Sequence, residues 1–227
     1  KQVAVHRHEV DDGLRHRGEG VVRIHEEASL RQAEADDGRG RSAAPAKGDP
    51  KAAQGIVDTV CAGCHNADGN SVAPANPKLA GLNAEYINKQ LANFKSGERK
   101  SAVMAGMAAG LSEADMLNLA AYFSAQKPKS ATAKDKTVAE QGEKIFRGGV
   151  LGAGVPACAS CHGAHGQGIP AQFPRLAGQH GDYVYAQLNA FRVGERANDA
   201  AKMMRTIAAK MTDADMKAVS AYIQGLR

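Results

Sequence analysis

The chain has 227 residues, 29 Lys plus Arg against 24 Asp plus Glu, a formal charge of +5, five Tyr, five Phe and no Trp. That length has room for one or two domains, but with so few aromatics the protein-only cores would be lean. No basic cluster is interleaved with aromatics, which argues against nucleic-acid binding, and the longest apolar stretch, near Val103–Leu111, is broken by glycines and far short of the ~20 residues that span a bilayer.

Lys1–Lys47 differ from the rest. They hold no aromatic and no methionine, four of the eight histidines (His6, His8, His16, His25), and nine basic residues against nine acidic. Such a segment has little to bury, so residues 1–47 are expected to be a disordered or non-native extension rather than a metal-binding tail. Residues 1–30 also lack the apolar core of a signal peptide; the expectation is a lost leader or a different N-terminal extension.

From residue 48 the pattern becomes helical. A helix over Lys51–Val60 leads into Cys61-Ala62-Gly63-Cys64-His65. A loop rich in Asn, Pro and Gly follows and carries Pro77-Lys78-Leu79-Ala80-Gly81. A helix over Ala84–Lys95 starts at Asn83 and stops at Gly97. Met104 and Met107 then lie in what reads as a loop. The last helix of this unit runs over Ser112–Ala125, where Ser112-x-x-Asp115 resembles a capping box. Residues 127–137 are polar, contain Pro128, and read as a linker between a domain at 48–126 and another at 138–227.

The second domain repeats the first. Cys158-Ala159-Ser160-Cys161-His162 lies 97 residues after the first motif, and Pro174, Tyr183, Gln187, Phe191 and Gly194 follow Pro77, Tyr86, Gln90, Phe94 and Gly97 at the same offset. After a three-residue insertion the offset becomes 100, matching Asp115-Met116 with Asp215-Met216. Upstream, Gln54-Gly55 pairs with Gln141-Gly142, with ten extra residues before the second motif. Helices are expected near Val138–Phe146, Asp182–Val193 and Asp213–Gln224, the last capped by Thr212-x-x-Asp215. Nothing alternates as a strand should, so the fold class is all-α.

The two pentapeptides consume every cysteine. Cys-x-x-Cys-His is the attachment signature of c-type haem: the thiols form thioethers to the vinyl groups, and the histidine becomes an iron ligand. A zinc ribbon would put roughly 15–20 residues between its cysteine pairs; here 93 intervene. A thioredoxin-like dithiol would need strands around it. Two covalently attached haem c groups are therefore expected, held by Cys61, Cys64, Cys158 and Cys161, with His65 and His162 as proximal ligands. The attachment reaction takes place outside an energy-transducing membrane, so export to the periplasm is implied. The haem propionates would bring the holoprotein nearer neutrality.

For the sixth ligand, the offset matches only Met104 with Met204 and Met116 with Met216 among the seven methionines. Met116 shares a helix face with Leu119 and Phe123, which makes it core. Met104 and Met204 remain as ligands, with Met107 and Met203 as the competing choices. His165 is too near His162 in sequence to reach the opposite haem face and reads as an exposed loop residue. His180 has Asn83 as its counterpart, so it carries no shared axial role.

With these motifs in place the chain is similar to class I cytochromes c, in which a proline twelve residues after the haem histidine turns its carbonyl to that ring. The resemblance implies this role for Pro77 and Pro174. Residues 50–227 as a whole, with Gln141-Gly142-Glu143-Lys144, Phe146-Arg147-Gly148-Gly149 and Tyr222-Ile223-Gln224-Gly225-Leu226, resemble the dihaem cytochrome c4 family. That family implies two tandem class I domains related by approximate twofold symmetry, and a periplasmic electron carrier, often loosely membrane-associated. Its implied partners are a respiratory donor complex and a terminal haem–copper oxidase. Two alternatives stand beside it. A dihaem subunit of a flavin dehydrogenase would have much the same sequence, and a dihaem peroxidase would need one open iron, against which the two methionines argue.

Overall fold

The computed structural model describes residues 47–133 and 135–227, and nearly all of the Lys1–Lys47 extension lies outside the described residues. In the first domain, α1 (Gln54–Ile56) passes through a π-helical turn, Val57–Cys61, into α2 (Ala62–His65). The helix expected over Lys51–Val60 thus begins later and changes pitch before the cysteine motif. Then come α3 (Ala84–Ser96), α4 (Ala102–Ala109) and α5 (Glu113–Ser124). Gly97 ends α3 at φ 80°, a left-handed conformation that costs glycine nothing. The Ser112 Oγ accepts from Asp115 N–H at 3.1 Å while the Asp115 carboxylate accepts from Ser112 N–H at 2.9 Å, so the anticipated box forms.

The second domain holds α6 (Lys136–Gly148), α7 (Ala159–His162), α8 (Gly181–Arg192), α9 (Met203–Ala208) and α10 (Asp213–Gly225). Helix α6 starts two residues before the expected Val138 because the Asp135 carboxylate accepts the Val138 N–H at 3.0 Å. It crosses α10 at Gly142, where any Cβ would overlap the Ala218 carbonyl. The pairing of Gly142 with Gly55 does not carry this role across. Gly55 faces open space, and it is Gly48 that lies against the Leu117 carbonyl of α5. The first domain leads in with a short, irregular segment where the second has a full helix.

Each domain buries its own apolar core. The first gathers Ala53, Val57, Ile87, Phe94, Met116, Leu119 and Phe123; the second gathers Phe146, Val155, Val184, Phe191, Met216, Val219 and Ile223. Met116 and Met216 are buried in these cores, as their helix faces require. Among the described residues there is no sheet, only isolated bridges, of which Arg99–Arg196 crosses between the domains. No helix among the described residues is long and apolar enough to cross a membrane.

The domain seam has twofold character. Arg99 donates to Gln90 in its own domain and to Tyr183 and Gln187 opposite, at 2.7, 2.8 and 2.8 Å. Arg196 donates to Gln187, Tyr86 and Gln90 at 2.9, 3.0 and 3.2 Å. Each guanidinium lies over a phenylalanine of its own domain, Phe94 or Phe191. Residue i meets j while j's counterpart meets i's, the pattern of an isologous contact. Asn83 is positioned before α3 but does not cap it; its amide donates to the Phe173 carbonyl across the seam at 3.1 Å. The connecting stretch is pinned to both domains, with Lys129 N–H on Asn70 Oδ1 at 2.7 Å and the Gln224 amide on the Thr132 carbonyl at 2.8 Å.

Candidate haem sites

Both Cys-x-x-Cys-His runs are helical. Cys61 and Cys158 are the N-cap residues of α2 and α7, so the second cysteine and the histidine follow at i+3 and i+4 on one helix face. Each turn then stops abruptly, at Asn66 (φ 58°) and Gly163 (φ 85°). The four thiols are unpaired. Cys61 and Cys158 pack against the cores of their domains, and burial pushes each thiol up to about 11.

His65 and His162 are each 8% exposed. The Nδ1–H of His65 donates to the Pro77 carbonyl at 2.8 Å, and that of His162 to the Pro174 carbonyl at 2.9 Å. Burial lowers both pKa values, with the proline carbonyls acting in the opposite sense. The rings are therefore neutral, with Nδ1 protonated and the Nε2 lone pair free, the form in which imidazole binds a metal.

The methionines depart from expectation in one respect. Met104 and Met204 do not lie in loops but on α4 and α9. Ser101 Oγ accepts the Met104 N–H at 3.3 Å and opens α4, a helix apolar all round and so without the periodic stripe that marks one in sequence. Both methionines are partly buried against the core that also takes their domain's first cysteine. Met107 and Met203 are 47% and 36% exposed. His165 is exposed. His180 lies at the seam, where Nε2 donates to the Ser71 carbonyl at 2.9 Å.

The Arg99–Arg196 pair tests whether the chain suits a haem. The two residues are 7% and 8% exposed, and neither forms an ion pair among the described residues. Buried cations without a carboxylate are costly, and propionates are the kind of anion that offsets them. With two thiols, one neutral imidazole and one apolar-side thioether per domain, the donor set fits haem c.

The Cytochrome c family profile matches residues 50–127 and 139–227. Cytochrome c4 of Azotobacter vinelandii is 47% identical over 81% of this chain and 91% of its own. The crystal structure of reduced recombinant cytochrome c4 from Pseudomonas stutzeri superposes with a TM-score of 0.76 at 48% identity, covering 79% of this chain and 100% of that one. The chain belongs to the dihaem cytochrome c4 family. The thiosulfate dehydrogenase electron acceptor of Thiomonas intermedia (strain K12) is also similar, 40% identical over 72% of this chain and 76% of its own.

As a member of this family the protein is an electron carrier with two covalently bound haem c groups, attached through Cys61 and Cys64 and through Cys158 and Cys161. Of the seam residues, Tyr86, Gln90, Tyr183 and Gln187 stand out in sequence as repeat-matched positions, whereas Arg99 and Arg196 do not. The signal was present: Gly97-Glu98-Arg99 recurs as Gly194-Glu195-Arg196 at the offset of the haem motifs. Arginine two residues after a helix-ending glycine reads as solvated until the other domain is placed over it.

Proposed function

We propose that His65 with Met104, and His162 with Met204, close the axial positions of the two irons, and that the protein shuttles electrons in the periplasm between a respiratory donor complex and a terminal haem–copper oxidase. The observation that carries this reading is the partial burial of Met104 and Met204 against the cores holding Cys61 and Cys158, while Met107 and Met203 point outward. When bound, each haem supplies a one-electron Fe(III)/Fe(II) couple, and a thioether ligand favours Fe(II). The protein's own part is to hold the imidazoles neutral through Pro77 and Pro174, to keep water from the metal face with apolar side chains, and to fix the two domains against each other through Arg99 and Arg196.

The test is ligand binding. The reduced holoprotein should bind no carbon monoxide and turn over no peroxide, since both sixth positions are filled. Rapid formation of a carbon monoxide adduct at either haem would end this reading and restore the peroxidase alternative. A second reading is supported by the similarity to a protein named thiosulfate dehydrogenase electron acceptor: the carrier takes its electrons directly from a dehydrogenase. A dehydrogenase that reduces it in a purified pair, with saturation, would decide for that donor.

A further inference from the structure

The Pro77–Lys78 peptide group is gripped from two sides. Its carbonyl accepts the Nδ1–H of His65 at 2.8 Å, and its N–H donates to Oε1 of Gln179 in the second domain at 2.9 Å. Gln179 returns a hydrogen bond from Nε2 to the Lys78 carbonyl at 2.9 Å, and its Oε1 also accepts the His180 N–H at 3.0 Å. Two N–H groups on one end and a carbonyl on the other fix which way this amide faces. Gln179 is 8% exposed, so the bonds are made away from bulk water.

The second haem site has no such grip. The counterpart of Gln179 at the repeat offset is Leu82, which is buried in the apolar core of the first domain. The Pro174 carbonyl accepts from His162, but the N–H of the same peptide group, on Arg175, has no partner among the described residues. The two proximal histidines are thus supported by the same carbonyl and distinguished by what lies behind it.

We infer that Gln179 is a positioning residue for the first haem, acting from the other domain through the Pro77–Lys78 peptide on His65. Accepting the N–H of a peptide polarises its carbonyl. A stronger acceptor at Nδ1–H makes the imidazole a better electron donor through Nε2. That favours Fe(III) at the first haem and sets the two potentials apart in a chain whose ligand types are the same in both domains. It also makes the first haem's potential depend on contact with the second domain. This rests on the reading of His65 as the axial ligand.

The experiment is an optical redox titration of the holoprotein carrying Gln179→Leu, Gln179→Met or Gln179→Glu, with the haem methyl resonances of the Fe(III) form followed by NMR. Met104→Ala identifies which titration wave belongs to the first haem. The Leu and Met variants should move that haem about threefold toward Fe(II) and shift its methyl resonances, leaving the second haem where it was. The Glu variant keeps an acceptor on Lys78 N–H and should leave the first haem unchanged or move it toward Fe(III). An unmoved first haem in the Leu and Met variants, equal shifts at both haems, or a Glu variant that follows Leu would overturn the inference. The underlying carrier reading is judged separately, by whether the unsubstituted protein shows two reversible one-electron waves.

Discussion

Arg99 and Arg196 donate to the same atom. One guanidinium from each domain reaches Oε1 of Gln187, at 2.8 and 2.9 Å. Two buried cations on one neutral oxygen repel each other, so their retention at the seam points to an anionic group nearby in the loaded protein. The same arrangement ties Tyr86 to Arg196 and Tyr183 to Arg99, so among the described residues these charged donors at the seam are accepted by neutral groups.

Replacing Arg196 with Leu should therefore destabilise the holoprotein by about 2–4 kcal/mol, because the buried Gln90 and the half-buried Tyr86 and Gln187 lose a charged donor. Arg196→Lys should recover less than half, since one ammonium nitrogen replaces the two separate guanidinium nitrogens that reach Gln187 and Tyr86. Chemical denaturation followed at the haem bands measures both. An unchanged midpoint in Arg196→Leu would refute a structural role for the pair.

The methionines are separated by spectroscopy. Met104→Ala and Met204→Ala should each remove about half of the near-infrared methionine–iron(III) band, and the double variant all of it. Met107→Ala and Met203→Ala should leave it intact. A band that survives in the double variant would move the ligands elsewhere.

Gly142 and Gly55 align in sequence yet should respond oppositely to alanine. At Gly142 a methyl group has to displace the Ala218 carbonyl and part α6 from α10, at a cost of about 2–3 kcal/mol or more. At Gly55, with open space around it, Gly→Ala should be neutral or stabilise by up to ~1 kcal/mol through helix propensity. Thermal melts of the two holoproteins decide.

Asp199 gives a pH dependence. Burial pushes its carboxyl up, but the backbone N–H and Nε of Arg205, at 3.0 and 2.7 Å, hold it below the usual carboxylate range overall. A depressed carboxyl stabilises the fold above its unfolded value of about 4, and that contribution is lost as pH falls through the lower folded value. Because Asp199 anchors the turn leading into Met204, the methionine band of the second haem should fade in this acid window before that of the first. Asp199→Asn should weaken the segment at neutral pH and flatten the acid transition, as read from band intensity against pH.

Much of this was legible in the sequence because it is local. A cysteine pair three apart with histidine next to it shares one face once the run is helical, and Ser112-x-x-Asp115 and Thr212-x-x-Asp215 cap the helical patterns that directly follow them. The Pro77 and Pro174 carbonyls were anticipated by resemblance, and the structure has them within hydrogen-bond distance of His65 and His162. Helix α4 was not legible, since Ala, Val, Met and Gly in uniform apolar sequence leave no period to detect. The capping role expected of Asn83 failed for a different reason: the side chain is engaged across the seam, where Nδ2 donates to the Phe173 carbonyl, and its oxygen accepts no N–H of α3.

The sequence alone determined that two haems are attached, that each has its own helical domain, and that two methionines per domain are matched by the repeat, one of them on a core helix face. These follow from covalent chemistry and from short-range helical spacing. The tertiary structure decided how the domains meet, and with that it broke the symmetry of the repeat. Only when Gln179 is brought 2.9 Å from the Lys78 N–H, 101 residues away in the chain, does the support behind His65 differ from that behind His162. Hydrogen bonds between distant segments depend on packing, which no spacing along the chain encodes.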